Sequence, residues 1–307
     1  MCKRSLNYII KVVVVTIALT GGFSGLSAAG QPQPNYDPPQ PSSEFGTPEA
    51  TAKIAAKAGF LDVVGIKLGI SPKDALAAVK AHNAALALEP KAKLEYEALP
   101  GVVMMPVLAS TQNANTSMQG GSEYMGLLVT YPPNEAFVYG VWRDVSFGRP
   151  ESRPTIDYIL NGLRKKYGPE SAREDSLLIW LFDAQRQQVM GARALEIWKK
   201  CANHWMTGAE YDMGNIGRQI TRGYYVVNDG RDYHGGACHS HSLVQARYLA
   251  GQDRSSQPLV MNVKIRASNH QLEASGVTAA NVLLTREATK LAEKRKDEAS
   301  KRAAPKF

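Results

Sequence analysis

FLDVVGIKLGISPKDALAAVKAHN, from Phe60 to Asn83, changes its periodicity half-way along. Val64, Ile66, Leu68 and Ile70 alternate with their neighbours, the two-residue period of a half-buried strand. Ser71 then reads as a helix cap, with Pro72 at the first helical position and Asp74 at the third. Leu76, Val79 and Asn83 mark one face of that short helix. A strand leading into a capped helix is a building block of α+β proteins.

A related layout recurs downstream. The strand-like AFVYGVWRDVSFG precedes RPESRPTIDYILNGLRKKYGPES, where Ile156, Ile159, Leu160 and Leu163 form a helical stripe. Gly168-Pro169 supplies the stop. LLIWLF, Leu177 to Phe182, reads as a compact apolar strand, and the polar DAQRQQ as its exit turn. Between the two helices lie KLEYEAL, VVMMPVL, the polar loop STQNANTSMQGGS and the strand EYMGLLVTY. The expectation is an α+β fold: a largely antiparallel sheet carrying two or three short helices, with two helix-plus-strands units over residues 51–190.

The run DVVGIKLGISPKDALAAVKAHN, with Gly65, Gly69 and Ile70 ahead of a short capped helix, resembles the opening of small exported proteins of the bacterial envelope. These include the small lipoprotein of the outer-membrane-protein assembly machinery and β-lactamase-inhibitor-like modules. The resemblance covers Asp62 to about Asn83, with a fainter echo at Val145 to Gly168. It implies two short helices packed on one face of an antiparallel sheet, and a module that binds another envelope protein. The lipidated cysteine of that lipoprotein has no counterpart here.

The N-terminal residues point to the same compartment. Lys3 and Arg4 precede the apolar Val12 to Leu19, and Ser27-Ala28-Ala29 is a small-x-small cleavage site, so residues 1–29 read as a secretory signal peptide. A retained membrane anchor is the alternative, but Lys11 shortens the apolar run below the roughly 20 residues of a spanning helix. Residues 30–50 are rich in Pro, Gln and Ser and read as an extended linker. Cutting after Ala29 lowers the net charge from +8 to +5, of which +4 sits in residues 286–307. The globular part is then nearly neutral and carries no nucleic-acid signal. The expected location is the periplasm or the extracellular medium, with no transmembrane span in the mature chain.

Chemistry-bearing residues concentrate late in the chain. Of three cysteines, Cys2 leaves with the leader, and Cys201 and Cys238 remain. Two cysteines in an exported chain favour a disulfide. Cys201, His204, His234 and Cys238, with His239 or His241 replacing either histidine, also form a loose tetrahedral zinc set. A third reading makes Cys238 a nucleophile, with His270 as the downstream base, which requires a helix after Cys238 and an acid to orient the histidine. Val244, Ala246 and Tyr248 alternate instead, as in a strand. No Gly-x-Ser-x-Gly elbow, phosphate loop, His-Glu-x-x-His pair or dinucleotide fingerprint occurs, and no cofactor is expected. The leading expectation is a non-enzymatic binding protein. A cysteine- or metal-dependent hydrolase centred on Cys238 is the alternative.

Residues 191–285 read as a disulfide-tied, β-rich part. Met261, Val263 and Ile265 alternate along one strand, and LEASGVTAANVLL reads as a returning strand. Thr285 would then cap a charged surface helix that occupies the tail, 286–307.

Overall fold

The computed structural model describes residues 46–96, 99–110, 114–115, 121–131, 133–201, 238, 240–252 and 258–301. The predicted leader and most of the linker lie outside these residues.

The fold is α+β, as the sequence predicts. Helix α1 (Pro48–Ala58) starts at Thr47, whose side chain accepts from the Ala50 amide. The predicted linker therefore ends sooner than Ala50. Pro48 occupies the first helical turn, where a missing N–H is harmless. The alternating run after Phe60 is not one strand but a hairpin of β1 (Asp62–Val63) and β2 (Ile66–Lys67). Its two turn residues, Val64 and Gly65, both have positive φ, at 48° and 86°. Such a primed turn matches strand twist, and the Asp62 carboxylate accepts from the Gly65 amide. Gly69, also at positive φ (78°), lies against α1 so closely that a Cβ there would stand 2.0 Å from the Ala55 carbonyl oxygen.

Helix α2 (Pro72–His82) is capped by Ser71, which accepts from the Asp74 amide while donating to its carboxylate. Its buried residues are Ala75 and Val79. Leu76 faces outward and Asn83 is the C-cap, so the inner face is rotated from the predicted one.

Strands β3 (Leu88–Tyr96), β4 (Leu99–Ser110), β6 (Ser122–Val129) and β7 (Val138–Ser146) form an antiparallel meander, with the two-residue β5 (Ala114–Asn115) against β6. A 3₁₀ turn at Pro150–Ser152 leads to α3 (Ile156–Tyr167), capped by Thr155 and ended by Gly168 at φ 81°. Next come β8 (Ala172–Glu174), β9 (Leu177–Phe182), β10 (Gln188–Val189), α4 (Gly191–Cys201), β11 (Ser242–Gln252) and β12 (Pro258–Asn269). The sheet order is β10-β9-β11-β12-β7-β6-β4-β3. The last strands of the two meanders, β7 and β12, pair antiparallel at its centre, from Asn262 opposite Ser146 to Ser268 opposite Gly140.

The main core lies on one face of this sheet. Leu178 and Trp180 of β9, Val244 and Ala246 of β11, Val263 and Ala267 of β12, and Met125 and Leu127 of β6 are buried there with residues of α1, α2 and α3. Leu177, Ile179, Leu181 and Leu243 form a second cluster with Ala194 and Cys201 of α4. LLIWLF is thus buried on both faces, which is why it reads as an unbroken apolar run.

The C-terminal expectation needs correction. No strand returns from Leu272, and Thr285 lies inside a helix instead of at its start. A single helix, α5 (His270–Ser300), continues directly from β12, with the Asn269 side chain accepting from the Leu272 amide at 2.7 Å. Its first three turns are enclosed, Leu272 to Val277 being buried without a break and Ala279 and Ala280 after them. The Thr51 and Ser275 hydroxyls meet at 2.7 Å, joining α1 to α5, and Asn134 Nδ2 donates to Thr51 Oγ1. Beyond Leu291 the side chains up to Lys301 are exposed.

Candidate functional site

The two cysteines lie where α4 ends and just before β11 begins, and they are bonded: S–S 2.00 Å, Cα–Cα 5.3 Å. With both sulfurs in this bond, neither is a thiolate. The zinc set loses two ligands and the nucleophile reading loses its nucleophile. His204, His234 and His239 lie outside the described residues. His241 is buried beside the Ser240 hydroxyl, 3.2 Å from its Nδ1. Among the described residues no group of three or more His, Cys, Asp or Glu could hold a metal ion. The residues after Cys238 form strand β11, as their alternation predicts.

His270, the base in the nucleophile reading, does have an orienting acid. Its Nδ1 lies 2.8 Å from Glu273 Oε2, and its Nε2 lies 2.9 Å from Ser268 Oγ. Burial pushes its pKa from 6.5 down to about 3, so the ring is neutral at pH 7. A neutral ring donates from one nitrogen and accepts at the other, so His270 links Ser268 to Glu273 through both. The order hydroxyl, imidazole, acid is that of a hydrolase relay. Ser268 and His270, however, have no solvent-exposed surface, so no substrate reaches the hydroxyl in this conformation. The set is a polar brace between β12 and α5.

A second polar centre ties α2 to the sheet. Glu123 of β6 accepts from His82 Nε2 (2.8 Å), Asn83 Nδ2 (3.0 Å) and Arg143 Nε of β7. Burial would raise its pKa, but the hydrogen bonds from Asn83, His82 and Arg143 outweigh it and hold the carboxyl below its ordinary value.

Arg143 also borders a large concavity, an opening of about 650 Å³ between α3 and the β7–β12 junction. Val145 and Val263, paired across that junction, form its floor with Phe147 and Ile265. Ile159 and Leu163 of α3 form the wall, while Arg153, Thr155 and the exposed Tyr158 stand at its border. Its size falls in the usual range of small-molecule sites, roughly 300–1,000 Å³. Gly162 lines it from the middle of α3, and a Cβ built there meets nothing within 4 Å. A glycine inside a helix costs about 1 kcal/mol relative to alanine, and packing does not demand it here. Its effect is to leave the cleft open.

None of these cleft residues stands out as a site in the sequence, because β7, α3 and β12 contribute them from distant segments. The local cue is the glycine within the apolar stripe of α3. A scan against models of known protein families finds no match to this chain, and a search of curated proteins finds none either.

Proposed function

We propose that this chain is an exported, non-enzymatic binding protein of the bacterial envelope or the extracellular medium, and that it takes an apolar or amphipathic ligand in the cleft under α3. The observation that carries this reading is the cleft itself: apolar on floor and wall, bordered by a few polar groups, and kept open by Gly162. The leader-like N-terminus and the resemblance of Asp62–Asn83 to envelope modules support export. The Cys201–Cys238 bond is compatible with an oxidising compartment. The hydrolase alternative has lost its thiolate, and Ser268 is closed to substrate.

The test fills the cleft without disturbing the core. Gly162→Trp places an indole in open space on a helix that gains propensity from losing its glycine. A polarity-sensitive apolar dye should bind the mature protein and be lost in Gly162→Trp, while the melting temperature holds or rises. Dye binding that survives the tryptophan would place the ligand site elsewhere.

A further inference from the structure

From the polar groups of the cleft, and resting on the reading of it as the ligand site, we infer that the ligand is an aliphatic monocarboxylate whose head is held by Arg153. Two arginines border the cleft. Arg143 is already engaged, its Nε–H donating to Glu123. Arg153 is not: its Nη2 donates to the Gly148 carbonyl at 3.2 Å, and no carboxylate among the described residues forms an ion pair with it. A half-buried guanidinium without a carboxylate partner leaves its positive charge uncompensated at the border of an apolar cleft, and a ligand anion would compensate it. A guanidinium N–H is suited to a planar carboxylate. Arg153 stands two residues before the Thr155 cap of α3, and the positive end of that helix also favours an anion.

The rest of the cleft restricts the group attached to that head. Its floor runs along β7 from Arg143 to Phe147, roughly 13 Å at 3.3 Å per residue, and is apolar between those ends. β7 and β12 are hydrogen-bonded on both sides, so the floor offers no open edge to the main chain of a peptide. A flexible hydrocarbon tail needs no such edge. The border carboxylate of Glu151 is exposed and solvated, and it disfavours a doubly charged head such as phosphate.

Binding of decanoate and of 1-decanol to the mature, oxidised protein separates the parts of this inference. Decanoate should bind roughly tenfold or more tightly than decanol, the usual gain from a charge-assisted hydrogen bond. Arg153→Gln should bring decanoate down to the affinity of decanol and leave decanol within about twofold of its wild-type value, which also reports that the cleft is intact. Arg153→Lys should keep part of the preference. Equal binding of acid and alcohol by the wild type would overturn the assignment of the head to Arg153 while leaving the cleft as the site. Failure of both to bind, or binding that persists in Gly162→Trp, would overturn the cleft reading and this inference with it.

Discussion

The indole of Trp142 fills the space above Gly126, its partner across β6 and β7: a Cβ built on the glycine would stand 1.8 Å from Trp142 Cζ2. The pair lies in the middle of the sheet, and Trp142 is only 7% exposed. An aromatic ring that covers a glycine on a neighbouring strand replaces the packing the missing side chain would have supplied. Gly126→Ala should therefore destabilise through overpacking, by about 1–3 kcal/mol. The same substitution in a Trp142→Leu background should cost clearly less. Chemical denaturation of the four proteins of this cycle checks both statements, and additive effects would show that the two residues do not compete for one space.

Loss of the Cys201–Cys238 bond should lower stability by about 3–4 kcal/mol in the chain-entropy model. Cys201→Ser and Cys238→Ser should be equivalent, and the double substitution no worse than either. Titration of the denatured, unreduced protein from residue 30 onward should find no free thiol. Two free thiols would restore the zinc and nucleophile readings together.

Acid should weaken the fold through two buried groups acting over different ranges. His270 has a folded pKa of about 3 against 6.5 for the free residue, so the unfolded chain binds the proton first. Its contribution is complete above pH 6.5 and is lost as the pH falls toward 3, with a slope of up to about 1.4 kcal/mol per pH unit. Glu123, whose pKa is lowered in the fold, adds a loss that begins only near its ordinary value of 4.5. In denaturant titrations between pH 7 and 5, His270→Gln should flatten the pH dependence, whatever it does to the absolute stability. Glu123→Gln should leave the slope there unchanged and reduce it below pH 4.5. An unaltered slope in His270→Gln would mean that the histidine is not the group taking up the proton.

Local signals are legible in this sequence and non-local ones are not. The cap at Ser71, the stop at Gly168 and the doubly buried LLIWLF all depend on neighbours within a few residues, and each is found where the sequence places it. The disulfide comes from counting the cysteines that would remain after the expected leader is removed. The start of α5 reads wrongly as a strand because Gly276, Val277 and Thr278 are poor helix formers in a row. Tertiary packing decides there: a Cβ on Gly276 would come within 2.9 Å of Thr130 Cβ, so the small residue lets the helix approach the end of β6. Helix α1 is hidden in a proline-rich context, although Thr47-Pro48 is a sound helix start. Of the cleft only Gly162 within the α3 stripe is a local cue, since Val145 and Val263 become neighbours only when β7 pairs with β12.

That pairing also sets an order of assembly. Among the described residues β12 is the last strand to be synthesised, yet it lies between β7 and β11 in the middle of the sheet. Until it emerges, the N-terminal meander ends in a bare edge at β7, and β9 and β11 can form only a separate ribbon. A ribosome or a membrane channel delivering this chain from its N-terminus therefore releases two half-sheets that cannot join. Their long sequence separation makes the joining step slow, and the unpaired edge at β7 is open to other chains meanwhile. A chain ending before Pro258 would keep both edges and be a candidate for aggregation, however well its first meander is packed.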